Sequence, residues 1–450
     1  MAEKKKPKKK PKTKAQQKPK PLKPKKKGHQ HEPLAFPNGF LWGASTSAHQ
    51  VEGNNINNDW WEWEQKKDHV KNGDKSGIAT DHYNRFTEDF ELAAGMNHNA
   101  HRFSIEWSRI EPQEGKWDMN EVKHYRQVLR ELRKNKLKPM VTLFHFTLPV
   151  WVANKGGWAN AEIPKFFARY AEFIAKELGK QVDFWVTINE PAIYIGQAYV
   201  SVNWPPQEKS AWKAALAFKN LAKGHKLAYT AIHKQMKKQK RTAEVGISKN
   251  TLSIFSYRNK FFDYLYVRAS EFIWNELFYS LTKRTHDFIG LNYYFVQRVR
   301  RGEDGRFIFV DVRKEERREI SDLGWEVYAP GLFDVLLEFK KYKKPIYITE
   351  NGIATTNDDK RSRYIVAHLK ELYHAIQAGI DVRGYFHWSL LDNFEWNSGF
   401  DPRFGLLEVN YKTLKRKVRP SAKVYARIAK ENKIPHSLLR FIGHGVKKEK

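Results

Sequence analysis

The chain contains no cysteine. Disulfides, thiolate nucleophiles and Cys-ligated metals are therefore excluded, and the absence fits a reducing, cytoplasmic setting. There is no His-Glu-x-x-His pair. His98 and His101 sit near one predicted strand, but opposite pleat faces make them poor joint ligands. No Gly-rich phosphate loop follows an early strand, which argues against a nucleotide cofactor. Neither a metal nor a cofactor is expected. No apolar run approaches the roughly 20 residues of a membrane span.

Material for a core is plentiful. Of 450 residues, 41% are hydrophobic and 15 are Trp, more Trp than packing alone usually needs. A Trp in a pocket offers a flat apolar face to a sugar ring or a base. The net charge of +31 is unevenly spread, because residues 1–27 hold 14 Lys and a single Glu. Residues 1–32 have almost nothing to bury and read as a disordered basic tail. With no apolar segment of the kind secretion signals carry, the tail predicts non-specific contact with a polyanion such as nucleic acid. A short basic tail is expected at 436–450, leaving 33–435 as the folded domain.

From Phe36 onward, strand and helix signals alternate. Strands are predicted at 40–45, 100–107, 139–146, 184–190, 244–248, 288–294, 345–350 and 384–389, the fifth being the weakest. Helix-period segments lie between them, at 120–134, 163–178, 211–237, 332–342 and 360–378. Eight such units predict parallel pairing with right-handed crossovers, closed as a single (β/α)8 TIM barrel of the α/β class. The active site of such a barrel lies at the C-terminal ends of its strands. Gln50, Arg102, His145, Asn189, Glu190, Asn292, Tyr294, Glu350 and Trp388 all fall there.

Two of these residues share one setting. Phe184-Trp185-Val186-Thr187-Ile188-Asn189 runs into Glu190 and Pro191, and Ile346-Tyr347-Ile348-Thr349 runs into Glu350, Asn351 and Gly352. A carboxylate at the end of a buried strand is costly without partners, so each is paired or used. Two carboxylates about 5–5.5 Å apart suit retaining glycoside hydrolysis, and about 6.5–9.5 Å suits inversion. Arg102 could keep a nucleophilic carboxylate ionised, and Tyr294 could donate a hydrogen bond to it.

The ordered set of motifs resembles glycoside hydrolase family 1, the β-glucosidase type. It comprises Phe40-Leu41-Trp42-Gly43-Ala44, Gln50-Val51-Glu52-Gly53, Arg102 to Arg109, Thr187 to Pro191, Ile348 to Gly352 and His387 to Trp396. The resemblance implies a retaining β-glycosidase acting on small-molecule or oligosaccharide β-glycosides, with Glu350 as nucleophile and Glu190 as acid/base. It places Arg102, Asn292 and Tyr294 around the nucleophile. It assigns Gln50, His145, Asn189, Glu395 and Trp396 to sugar hydroxyls and Trp388 to the platform beneath the sugar. Glu395 implies neutral rather than phosphorylated sugars, such as glucosides and galactosides.

Two departures stand out. Phe146 occupies a position where the family usually has Trp. The stretch from Gly246 to Asn292 is also short, which predicts a missing or remodelled helix or loop, a more open mouth and room for an unfamiliar ligand. The competing reading is a non-catalytic carbohydrate-binding barrel with a polyanion-binding tail.

Overall fold

The computed structural model describes residues 33–258, 260–302, 304, 306–310 and 318–443. The expectations for residues 1–32 lie outside the described residues. Eight strands form the barrel: β1 (Leu41–Ser45), β2 (Ala100–Ser104), β3 (Lys138–Phe144), β4 (Phe184–Asn189), β5 (Glu244–Ser256), β6 (Ile289–Arg301), β7 (Ile346–Asn351) and β8 (Val382–Trp388). Each pairs in parallel with both neighbours, and β8 meets β1 with Gly384 opposite Leu41 to close the ring. Fully buried strands need no polar alternation, which is why they read as apolar runs.

Eight helices surround the ring: α1 (His82–Gly95), α2 (Met119–Lys134), α3 (Ile163–Leu178), α4 (Ala211–Lys238), α5 (Phe261–Glu271), α6 (Pro330–Phe339), α7 (Asp358–Gln377) and α8 (Pro420–Glu431). Helix α2 illustrates how sequence sets them. Asp118 caps its start by accepting from Asn120 N at 2.8 Å, and Val122, Tyr125, Val128, Leu129 and Leu132 form its buried stripe. Inside the ring, Leu41, Ala100, Met140, Val186, Phe288, Tyr347 and Phe386 form a separate apolar cluster. Most lie in the first halves of their strands. They plug the bottom of the barrel and leave the strand ends to polar residues.

Two expectations change. The expected break at 435 comes too early, because His436–Ile442 forms a 3-10 turn that buries Leu438 and Leu439 against the core. The fifth strand does not stop at 248. Both β5 and β6 run for 13 residues, and Ser253 to Ser256 pair with Val296 to Val299 as an arm beyond the ring. The crossover between them keeps its helix: α5 continues through a π turn, Phe272–Glu276, into Leu277–Leu281.

Several motif carboxylates are structural. Glu52 accepts from Arg109 Nε at 2.9 Å and from the Tyr125 hydroxyl at 2.7 Å. Glu106 accepts from Ser108 Oγ at 2.9 Å and Thr147 Oγ1 at 3.0 Å. These bonds tie the loops after β1, β2 and β3 together beside the mouth.

Candidate active site

The strand ends surround a cavity of about 320 Å3. His145, Asn189, Glu190, Tyr294, Glu350, Trp388, Glu395 and Trp396 line it. Gln50, Arg102 and Asn292 stand directly behind that lining, each hydrogen-bonded to one of its residues. The eleven residues singled out in the sequence thus converge.

Glu350 ends β7 and is 4% exposed. Arg102, from β2, donates through Nη1 to Glu350 Oε1 at 2.5 Å. Tyr294, from β6, donates to Oε2 at 2.6 Å. Each carboxylate oxygen thus has a donor, which fixes the plane of the group. Arg102 is held in turn by Thr142 Oγ1 at 3.1 Å and Asn189 Oδ1 at 2.7 Å. The chain folds tightly behind Glu350. A Cβ on Gly352 would come within 1.7 Å of the Trp388 carbonyl oxygen, so only glycine fits there.

Glu190 follows β4 in a different setting. It has the left-handed conformation, at φ 42°, with Pro191 starting the next helical turn. Asn292 donates to its Oε1 at 2.8 Å. The resemblance places Asn292 around the nucleophile; it stands beside Glu350 but gives its hydrogen bond to Glu190. Asn292 is in register with Glu350, but its side-chain amide reaches across to β4 while its Oδ1 accepts from Thr349 Oγ1 at 2.6 Å. Burial, and then the nearby charge of Glu350, push the Glu190 carboxyl up to about 8, with Asn292 opposing. Glu190 therefore holds its proton at neutral pH.

The opposite wall is a polar cluster. Gln50 Nε2 donates to Glu395 Oε2 at 3.2 Å, and Asn393 Nδ2 donates to the same oxygen at 3.0 Å. Burial raises Glu395 to about 7. Asn189 Nδ2 bonds His145 Nε2 at 3.2 Å, and burial pulls His145 well below its usual value. His145 stacks between Trp388, at 5.8 Å, and Trp396, at 6.1 Å. Phe146 packs edge-on against Trp396 at 5.3 Å and tilted against Trp204 at 4.9 Å, so the smaller ring sits in an aromatic wall.

Phe146 and Trp396 share the positive φ seen at Glu190, at 76° and 53°. Such residues cost about 1–3 kcal/mol each and persist only where surroundings over-determine them. Their meeting around one cavity marks it as a site rather than a packing defect.

Sequence reading missed several members. Asn250, Ile193, Phe295, Leu323 and Trp325 line the outer part of the cavity. Trp325 lies outside any strand or helix, and no local pattern announces it. Lys249 is wholly buried, 5.4 Å from the Trp274 ring, and its Nζ donates to the Asn250 carbonyl at 2.5 Å. Burial lowers its ammonium to about 7.

Comparisons with known proteins agree with this fold. A sequence model of glycosyl hydrolase family 1 matches residues 32–280 and 256–434. The 1,4-beta-D-glucan glucohydrolase of Thermotoga neapolitana is 32% identical, with 88% of this chain and 98% of that protein covered. The beta-galactosidase of Pyrococcus woesei is 32% identical, with 90% and 100% covered. The solved beta-glycosidase from Pyrococcus horikoshii superposes with a TM-score of 0.84 at 38% identity, covering 91% of this chain and 98% of that one.

Proposed function

We propose that this chain, which belongs to glycosyl hydrolase family 1, cleaves neutral β-glucosides and β-galactosides with Glu350 as nucleophile and Glu190 as acid/base. It is a retaining β-glycosidase. The observation that carries the residue assignment is the contrast between the two carboxyls. Glu350 is gripped at both oxygens by Arg102 and Tyr294, whereas Glu190 is buried, protonated and held by one amide.

A sugar seated against Trp388 presents its anomeric carbon to Glu350. Glu190 gives its proton to the departing oxygen as Glu350 attacks, forming a glycosyl ester. Esterification removes the Glu350 charge, one of the forces that raise Glu190. Its proton affinity then falls, which suits the second step. There Glu190 takes a proton from water, and the water releases the sugar. Gln50, His145, Asn189, Glu395 and Trp396 supply hydrogen-bonding groups for the ring hydroxyls. A buried carboxyl at Glu395 disfavours a phosphorylated sugar. The apolar outer lining of Ile193, Phe295, Leu323 and Trp325 suits an aryl aglycone or the flat face of a second sugar. No observation favours a worn, non-catalytic barrel.

The test is hydrolysis of a panel of nitrophenyl β-glycosides by the wild type and Glu350→Gln. The variant should lose roughly four orders of magnitude or more, as expected for a removed nucleophile. Near wild-type turnover would overturn the assignment. A panel in which neither glucoside nor galactoside is turned over would overturn the substrate class.

A further inference from the structure

Helix α5 wears its hydrophobicity outward. Its inner face is conventional, with Asp263 and Val267 buried. Its outer face is Phe261, Phe262, Tyr264 and Leu265, continued by Phe272 and Ile273 on the π turn. Their exposures are 69, 57, 58, 47, 45 and 60%. Helix α2 exposes Lys123, Gln127, Arg130, Arg133 and Lys134 on its corresponding face. A surface helix of a soluble protein is polar outward, so a contiguous apolar face of this kind marks an interaction surface.

The charge beside that face selects the partner. Arg258, Lys260, Arg268 and Arg301 border it, and the Arg301 guanidinium lies 5.2 Å from the centre of the Phe262 ring. The acids on the helix, Asp263 and Glu271, pair with two of these four cations, Arg258 and Arg268, so the border is positive by two. A second copy of a chain carrying +31 would bring like charge to this face. Aromatic rings beside cationic side chains are instead the composition that seats at the headgroup level of a bilayer containing anionic lipid. Stable attachment takes two signals. The 14 Lys of residues 1–27 supply an electrostatic one in the sequence. No described helix is long and apolar enough to cross a membrane, so contact is with the interface only.

We propose that the outward face of α5 and its π turn, bordered by these cations, docks the protein on the surface of an anionic lipid bilayer. Helix α5 starts where β5 leaves the barrel, so the docking face lies on the side of the strand ends. The proposal is independent of the hydrolytic assignment.

The test is co-sedimentation of the full chain with vesicles of phosphatidylcholine and phosphatidylglycerol, and with phosphatidylcholine alone. The comparison proteins are Phe262→Ser and Phe261→Ser/Phe262→Ser/Ile273→Ser. None of these residues belongs to the cavity, so wild-type turnover of a nitrophenyl glycoside certifies that each variant is folded. The wild type should sediment with the mixed vesicles. The triple variant should bind at least about tenfold more weakly, three large apolar contacts being lost, and the single variant should fall between. Equal binding by wild type and triple variant would overturn the proposal in favour of charge alone. A wild type that stays in solution would overturn it outright. A wild-type dimer that the triple variant turns into monomer would assign the face to a second copy instead.

Discussion

The β7 side and the β4 side of the mouth present the same functional group in opposite surroundings. On the β7 side, Glu350 meets a guanidinium and a phenol that address its two oxygens. On the β4 side, Glu190 meets a neutral amide, on a strained left-handed residue. The two sides are joined, because Arg102 and Asn292 both donate to Asn189 Oδ1, at 2.7 and 3.3 Å. One network therefore orients both carboxyls, while burial and the charge of Glu350 raise Glu190. Residue type does not distinguish the two carboxyls. The neighbours do.

The strongest way to break this comparison is Glu190→Gln. With a dinitrophenyl leaving group, which needs no proton, the first step should survive, and the glycosyl-enzyme should accumulate as a burst. Its breakdown should slow by about 10²–10⁴-fold, the usual worth of general acid–base catalysis. Azide, which attacks without base assistance, should restore turnover. If turnover of this substrate is unchanged, or azide has no effect, Glu190 is not the acid/base.

A milder perturbation acts on the other side. Tyr294→Phe removes one of two donors to Glu350 and leaves the ring in place. A hydrogen bond to a charged group contributes about 1.5–3 kcal/mol, so kcat/KM should fall by roughly 10–100-fold. The loss should appear in the step that forms the glycosyl-enzyme. A loss confined to KM would instead make Tyr294 a sugar-binding residue.

The two sides also differ in how far sequence reveals them. Apolar runs ending in Glu190-Pro191 and Glu350-Asn351-Gly352 announce strand ends locally, and eight repeats of strand then helix announce the barrel. Arg102 and Tyr294 followed from their strands. Asn292 did not: its partner depends on which way one amide turns between two strands in register, and no spacing encodes that choice. The second half of β5, Asn250 to Ser256, mixes polar and apolar residues rather than continuing as an apolar run, and it pairs with β6. Lys249 reads as a surface residue and is buried by Trp274 folding back over it. Helix α5 buries Asp263 and exposes Phe261, Phe262 and Leu265, the reverse of what polar-outward periodicity predicts.

Asn292→Ala sharpens the comparison by the smallest change. Asn292 donates to Glu190, and a donor to a carboxylate favours its charged form. Removing the donor should raise the proton affinity of Glu190 further. With Glu190 as the acid, the free enzyme needs it protonated, so kcat/KM should fall as pH rises through its pKa, near 8 in the wild type. In Asn292→Ala the basic limb should therefore move to higher pH, with a modest loss of rate below it. Glu395 and Lys249 titrate nearby, each near 7. Glu190→Gln assayed with the dinitrophenyl substrate isolates the neighbours, because any basic limb it retains belongs to one of them. A basic limb unmoved by Asn292→Ala and retained in Glu190→Gln would place the titrating acid elsewhere. The difference between the two sides of the mouth would then lie in geometry alone.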